Sequence, residues 1–164
     1  DKIRLKLSEL GFNDISFNNL NGLDIDENTD GAVGSAKSIA KLAYIFYKNF
    51  QEISHFTTLA DYDFHTIDGN YISLPNTNQN NEILKNVVFS KTGFTDRAGG
   101  NLVTIMKYGD SYFSVVVLGS SYTGRFQDMQ NLISLTKQFI SKKDYYLEKS
   151  LELRYNKFPW YLTS

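Results

Sequence analysis

The sequence predicts an α+β domain, an antiparallel sheet with helices packed on it. Apolar residues recur at three- and four-residue spacing in two stretches, Ile39 to Phe50 and Phe126 to Ile140. Between them lie three β-branched and aromatic runs: one opening with Val87-Val88-Phe89, then Leu102 to Tyr108 and Tyr112 to Leu118. Helices first, then a meander, then a helix is an α+β order.

The elements follow in turn. Ile3, Leu7 and Leu10 share one helical face, and Gly11 is a suitable stop. Nothing ahead of that helix caps it, so the chain reads as a processed or truncated product, and the lack of a visible signal peptide carries little weight. Phe12 to Gly34, rich in Asn, Asp and Gly, reads as an irregular loop. Ser35 is a good N-cap for the helix that buries Ile39, Leu42, Ala43, Phe46 and Phe50. A shorter helix is expected over Gln51 to Thr58. A hairpin follows, 59–67 against 70–74, around a type I′ Asp68-Gly69 pair. Gly99-Gly100 is expected to break the strand that starts at Val87. Gly109-Asp110 suits a II′ turn. The unbroken Val115-Val116-Val117-Leu118 run argues for burial on both faces.

Composition narrows the function classes. With 164 residues, 41% of them hydrophobic and 15% aromatic, the chain makes one domain, or a large piece of one, with a packed core. Net charge is −1 with no basic block, so charge implies neither nucleic acid nor an anionic membrane as partner. No cysteine is present, which excludes disulfides, thiolate zinc sites and cysteine nucleophiles. No run of about 18 apolar residues exists to span a bilayer. Residues 143–164 mix Lys and Arg with Tyr145, Tyr146, Tyr155, Phe158, Trp160 and Tyr161. They read as an interfacial helix, a linker or a segment packed on the domain.

The chemistry concentrates in Ser90-Lys91-Thr92-Gly93-Phe94-Thr95. Lysine supplies a compact charge with three donors, and threonine a short hydroxyl. Glycine removes a side chain that would block a second backbone lying along the strand. The set suits an extended peptide with a free carboxylate, bound by strand addition. Other patterns carry less. Asp26 to Gly31 looks like half a calcium loop, but position 12 would be Lys37, and an Asx-rich turn explains it. His55 and His65 have no metal-ligand spacing, and no metal or cofactor is expected. Ser38-Ile39-Ala40-Lys41 matches Ser-x-x-Lys literally but lacks the context of a nucleophile box.

Several weak motifs occur in one order. Lys91-Thr92-Gly93-Phe94-Thr95 precedes Ala98-Gly99-Gly100-Asn101-Leu102-Val103. Upstream lie Leu10-Gly11-Phe12, Phe17-Asn18-Asn19, Gly22-Leu23-Asp24, Gly34-Ser35-Ala36-Lys37-Ser38-Ile39-Ala40 and Asn76-Thr77-Asn78. Together they resemble the serine-type D-alanyl-D-alanine carboxypeptidases, the low-molecular-mass penicillin-binding proteins, over about residues 1–142. Two positions depart from the pattern. Gly100 stands where the family has an aromatic residue, and Leu20-Asn21 where Pro-His is common.

The resemblance implies a partial β-lactamase/transpeptidase-like fold, with 1–142 the C-terminal half of the catalytic domain and 143–164 a tail or linker. It implies a substrate-binding set of Lys91, Thr92, Gly93, Phe94 and Thr95: Lys91 lining the site and supporting its proton network, Thr92 and Thr95 contacting the substrate carboxylate, and the Phe94 N–H serving as an oxyanion donor. The catalytic Ser-x-x-Lys and Ser-x-Asn boxes would precede Asp1, so no catalytic residue is expected in this chain. The implied substrate is a peptidoglycan stem peptide ending in D-Ala-D-Ala, with β-lactams as partners, outside the cytoplasmic membrane. Membrane contact would come through other segments, or weakly through the tail. The alternative is a non-catalytic cell-wall peptide-binding relative that keeps the cleft without the nucleophile.

Overall fold

The computed structural model describes residues 2–78 and 80–152, the side chains of residues 81 and 144–152 excepted. In chain order the elements are α1 (Lys2–Glu9), β1 (Ser16–Phe17), β2 (Ala32–Val33), α2 (Ala36–Asn49), α3 (Gln51–Phe56), β3 (Asp61–His65), β4 (Tyr71–Pro75), α4 (Asn81–Leu84), β5 (Val87–Thr95), β6 (Gly99–Tyr108), β7 (Ser111–Ser120) and α5 (Gly124–Glu152).

The expected α+β order is present. β5, β6 and β7 form an antiparallel meander in that spatial order. Helix α2 packs on one face and α5 on the other. Register assigns the faces. Phe89 and Lys91 stand opposite Ile105 and Val103, and Phe89 and Ile105 pack with Ala43 and Tyr47 of α2. Ser90 and Thr92 stand opposite Thr104 and Leu102, and Leu102 packs with Met106, Val115, Val117, Met129 and Ile133 on the α5 side. Leu102, Ile105, Met106 and Met129 are at most 1% exposed, so each stabilises the fold by about 1.5–3 kcal/mol. A smaller cluster of Leu7, Phe12 and Ile15 seats α1 against Ile39 and Leu42.

Local chemistry sets the ends. Gly11 takes φ +76 after α1. Ser35 caps α2, its Oγ accepting from the Ser38 N–H at 3.2 Å.

The structure departs from expectation at four places. The β3–β4 hairpin is not closed by a type I′ pair at Asp68-Gly69. The Gly69 N–H bonds the Thr66 carbonyl, which places Ile67 and Asp68 at the turn centre, and Gly69 follows at φ +83. Gly99-Gly100 does not lie between strands but opens β6, because the chain already reverses over Asp96–Ala98 and Gly99 supplies φ +65. The 12–34 loop contains one short antiparallel pair, Ser16 with Val33 and Phe17 with Ala32. In the valine run, Val115 and Val117 are buried, but Leu118 is 44% exposed, so only one face is sealed there.

The hairpin at Gly109 pairs Tyr108 with Ser111 and puts Gly109 first in the turn at φ +58, as the glycine required. Helix α5 continues through Glu152, beyond the apolar stretch that marked it. The tail aromatics Tyr155, Phe158, Trp160 and Tyr161 lie outside the described residues. No helix among the described residues is long and apolar enough to cross a membrane.

Candidate active-site cleft

Strand β5 is an edge strand, pairing with β6 alone among the described residues. In an antiparallel ladder successive residues aim their N–H and C=O groups to opposite sides. The Ser90 N–H turns away from β6 to the Thr57 Oγ1, at 3.0 Å. Ser90, Thr92 and Phe94 therefore present their backbone groups to the free edge. Thr57 closes that edge at Ser90, since its hydroxyl also donates to the Ser54 carbonyl at 2.6 Å. Beyond it, among the described residues, no strand pairs with the edge at Thr92 and Phe94, and the Thr92 carbonyl there is met only by the Lys91 side chain, so a second strand can pair.

The cleft beside this edge measures about 470 Å³ and is walled by Ser90, Lys91 and Thr92 on one side. The Asn-Thr-Asn turn and the α3–β3 junction form the other side. The turn works as a clamp. Asn76 Nδ2 donates to the Thr57 and Leu59 carbonyls at 3.0 and 2.6 Å. Asn78, 1% exposed, donates through Nδ2 to Ser90 Oγ at 2.8 Å. Between these anchors the Thr77 hydroxyl meets that of Thr92 at 2.7 Å. Either hydroxyl can donate, so one proton lies between the two oxygens.

The Lys91 ammonium donates to the Thr92 carbonyl. Part of the side chain remains exposed, yet burial of the ammonium, with Arg125 nearby, holds its pKa below the ordinary lysine range. A Cβ built on Gly93 would meet only Asn101 Cβ, at an ordinary 3.7 Å. The fold does not demand glycine here, and the open space lies beside Lys91 on the same face.

Beneath the strand sits Arg125, 3% exposed. Its guanidinium lies 4.5 and 4.8 Å from the Tyr122 and Phe126 rings, and one amine donates to the Gly93 carbonyl at 3.0 Å. Arg125 Nε is buried without a partner. Sequence reasoning missed this residue, although a signal existed: a cation in the first turn of a helix opposes the macrodipole and calls for a reason. Phe94, 42% exposed, meets Tyr122 edge to face at 5.0 Å.

The five predicted residues thus lie in line on β5, but they face different surroundings. Lys91 and Thr92 border the cleft, and Phe94 stands at the free edge. The Thr95 hydroxyl donates to Asp24 Oδ1 at 3.0 Å and accepts from the Ala98 N–H at 3.0 Å. Gly100, the departure from the family pattern, has a steric cause: a Cβ there would sit 2.1 Å from the Ser121 carbonyl oxygen.

Ser38 and Lys41 do not form a nucleophile pair. Ser38 Oγ bonds Asp14 Oδ1 at 2.7 Å, while the Lys41 ammonium lies 5.2 Å from the Phe12 ring centroid. The Asp26 carboxylate is occupied within its own turn, by the Asn28 N–H and the Thr29 hydroxyl.

An antiparallel sheet between helices, with a Lys-Thr-Gly edge strand lining a cleft, defines a penicillin-binding, transpeptidase-like fold. Residues 1–122 match the family model described as D-alanyl-D-alanine carboxypeptidase, and the chain belongs to that family. No curated protein matches the sequence. Among solved structures, penicillin-binding protein D2 from Listeria monocytogenes in its cefotaxime-bound form is similar at 24% identity and TM-score 0.68, over 81% of this chain and 52% of that one. Its ampicillin-bound form gives 25% identity and TM-score 0.67, over 81% and 53%. A peptidoglycan synthesis regulatory factor from Streptococcus pneumoniae gives 23% and 0.67, over 84% and 46%. The chain spans about half the length of these proteins.

Proposed function

We propose that this chain supplies the substrate-gripping strand of a serine D-Ala-D-Ala carboxypeptidase that trims the terminal D-Ala from peptidoglycan stem peptides. The observation that carries the reading is the free edge of β5 beside a cleft that holds the Lys91 ammonium and the paired Thr92 and Thr77 hydroxyls. A peptide laid antiparallel along that edge puts its terminal carboxylate at Lys91 and Thr92, with the buried guanidinium of Arg125 adding positive charge from below. Its scissile carbonyl then falls near the outward Phe94 N–H. Such a donor is worth about 10²–10³ in kcat in acyl-transfer enzymes.

The nucleophile belongs to a Ser-x-x-Lys box in sequence preceding this chain. Its hydroxyl oxygen attacks the carbonyl of the penultimate D-Ala, the bond to the terminal residue breaks, and free D-Ala departs with the proton on its amine. Water then hydrolyses the serine ester. On this reading residues 1–142 belong to the C-terminal half of that catalytic domain and 143–164 serve as a tail or linker, entered through α5, which runs on to Glu152. β-Lactams, which the Listeria relative holds in its cefotaxime- and ampicillin-bound forms, would acylate the same serine. The work takes place outside the cytoplasmic membrane, as for the family.

The test is covalent labelling of the whole protein by a fluorescent penicillin, together with D-alanine release from a D-Ala-D-Ala peptide. Both should occur in the whole protein and fall at least tenfold in Lys91→Ala and Thr92→Val. The 164-residue chain alone should stay unlabelled. Peptide binding by a whole protein that neither labels nor releases D-alanine would favour the non-catalytic cell-wall peptide-binding relative.

A further inference from the structure

The irregular loop between β1 and β2 closes onto the β5–β6 turn through contacts that span about seventy residues of sequence. Asp24 accepts from the Thr95 hydroxyl through Oδ1 at 3.0 Å and from the Arg97 N–H through Oδ2 at 3.2 Å. Arg97 returns across the gap: its Nε meets Asp30 Oδ1 at 2.7 Å and its NH1 meets the Glu27 carbonyl at 2.6 Å.

The loop is built to hold this position. Asn19 Nδ2 donates to the Leu23 carbonyl at 2.6 Å, and the Ile25 N–H bonds the Thr29 carbonyl at 2.9 Å. A Cβ on Gly31 would sit 2.0 Å from the Leu23 carbonyl oxygen, so the backbones on either side of Asp24 are in close contact.

We propose that Asp24 is a positioning residue for acyl transfer, fixing through Thr95 and the Arg97 amide the end of β5 that carries the Phe94 N–H. The assignment rests on the carboxypeptidase reading above. Its physical basis is proton accounting. A threonine hydroxyl has one proton, and here it goes to Asp24, while the Ala98 N–H uses the oxygen as acceptor. Thr95 therefore has no donor left for a substrate carboxylate, and the negative charge of Asp24 behind it disfavours an anion there. The substrate carboxylate belongs at the Lys91 end, and Thr95 acts through the backbone. Its stapled side chain sets the direction of the peptide unit it shares with Phe94, one bond from the proposed oxyanion donor. An oxyanion donor acts by preorganised direction, so a small rotation lowers the rate with little effect on binding.

Two measurements on Asp24→Ala, Thr95→Val, their double variant and Thr95→Ser decide the matter. In the whole protein, the penicillin acylation rate constant should fall about tenfold in Asp24→Ala and in Thr95→Val, with the apparent dissociation constant changed less than about twofold. The double variant should be no worse than either single, and Thr95→Ser should restore most of the rate. In the 164-residue chain, amide exchange at Arg97 and Ala98 should accelerate in Asp24→Ala. Unchanged exchange, additive effects, or a loss in Thr95→Val that falls on binding would overturn the assignment. Failure of the wild-type whole protein to acylate would overturn the carboxypeptidase reading, and the assignment with it.

Discussion

Arg125 donates to the Gly93 carbonyl at 3.0 Å, from a pocket in which Tyr122 and Phe126 flank its guanidinium. The C-terminal helix is thereby tied to the middle of the Lys-Thr-Gly strand. Arg125→Ala removes a buried charged hydrogen bond and both ring contacts, and should cost about 2–4 kcal/mol in urea unfolding. Arg125→Lys should cost nearly as much, because an ammonium reproduces neither the planar stacking nor the reach to Gly93. A lysine variant of unchanged stability would show that the pocket recognises charge alone.

The same guanidinium acts on Lys91. Burial is the larger cause of its lowered pKa and Arg125 the smaller. A base whose folded value is depressed carries its cost at all pH values below that folded value. The cost is relieved as pH rises from there towards about 10.4, the ordinary lysine value. An NMR titration of the Lys91 ammonium should give a midpoint below that value. In Arg125→Met the midpoint should move upward but stay below it, since burial remains. An unmoved midpoint would remove Arg125 from the electrostatics of the cleft.

Ser38 is structural. Ser38→Ala should leave penicillin acylation of the whole protein unchanged and lower the stability modestly through loss of its bond to Asp14. The bonds from Ser35 and then Ser38 hold the Asp14 carboxyl below its ordinary value. A depressed acid contributes stability above about pH 3.9, and loses it as pH falls through the folded value. In Ser38→Ala that acid-sensitive component should shrink. A rate loss without a stability loss would instead make Ser38 chemical.

Gly100 cannot accept the family's aromatic residue. Its Cβ would overlap the Ser121 carbonyl oxygen, which is backbone and cannot rotate aside. Gly100→Tyr should cost about 1–3 kcal/mol or more by denaturant unfolding. A neutral outcome would mean that the segment after β7 repacks freely.

Leu132, Leu135 and Phe139 form a stripe along α5, 37%, 59% and 69% exposed. Such a stripe drives self-association. Leu135→Glu with Phe139→Lys should raise the solubility of the isolated chain without lowering its unfolding midpoint. A drop in midpoint would show that these side chains pack within the chain.

Much of this architecture was legible because local signals agreed. Gly11, Ser35 and Gly109 each carry the turn or cap chemistry their positions need, and both amphipathic stretches bury part of the face their spacing marks, with Phe50, Leu132 and Phe139 left exposed. The hairpin turn slipped by one residue because Asp68-Gly69 also fits a turn in which glycine follows the bend rather than sharing it. Within the site, Lys91 and Thr92 were legible as a motif. Thr57, Thr77, Arg125 and Asp24 were not, since each acts across a long sequence separation and no periodicity links them to β5. The Asn-Thr-Asn turn was recognised as a pattern, but the division of labour, two clamping asparagines that present one threonine, needed coordinates.

Whether the β5 edge grips a free carboxylate can be read from an NMR titration of the isotope-labelled chain with an N-acetylated peptide ending in D-Ala-D-Ala. Amide shifts should concentrate at Lys91 to Thr95 and at Thr77, and should be lost in Lys91→Ala. Shifts centred away from β5, or a footprint that survives Lys91→Ala unchanged, would contradict a carboxylate held at this edge.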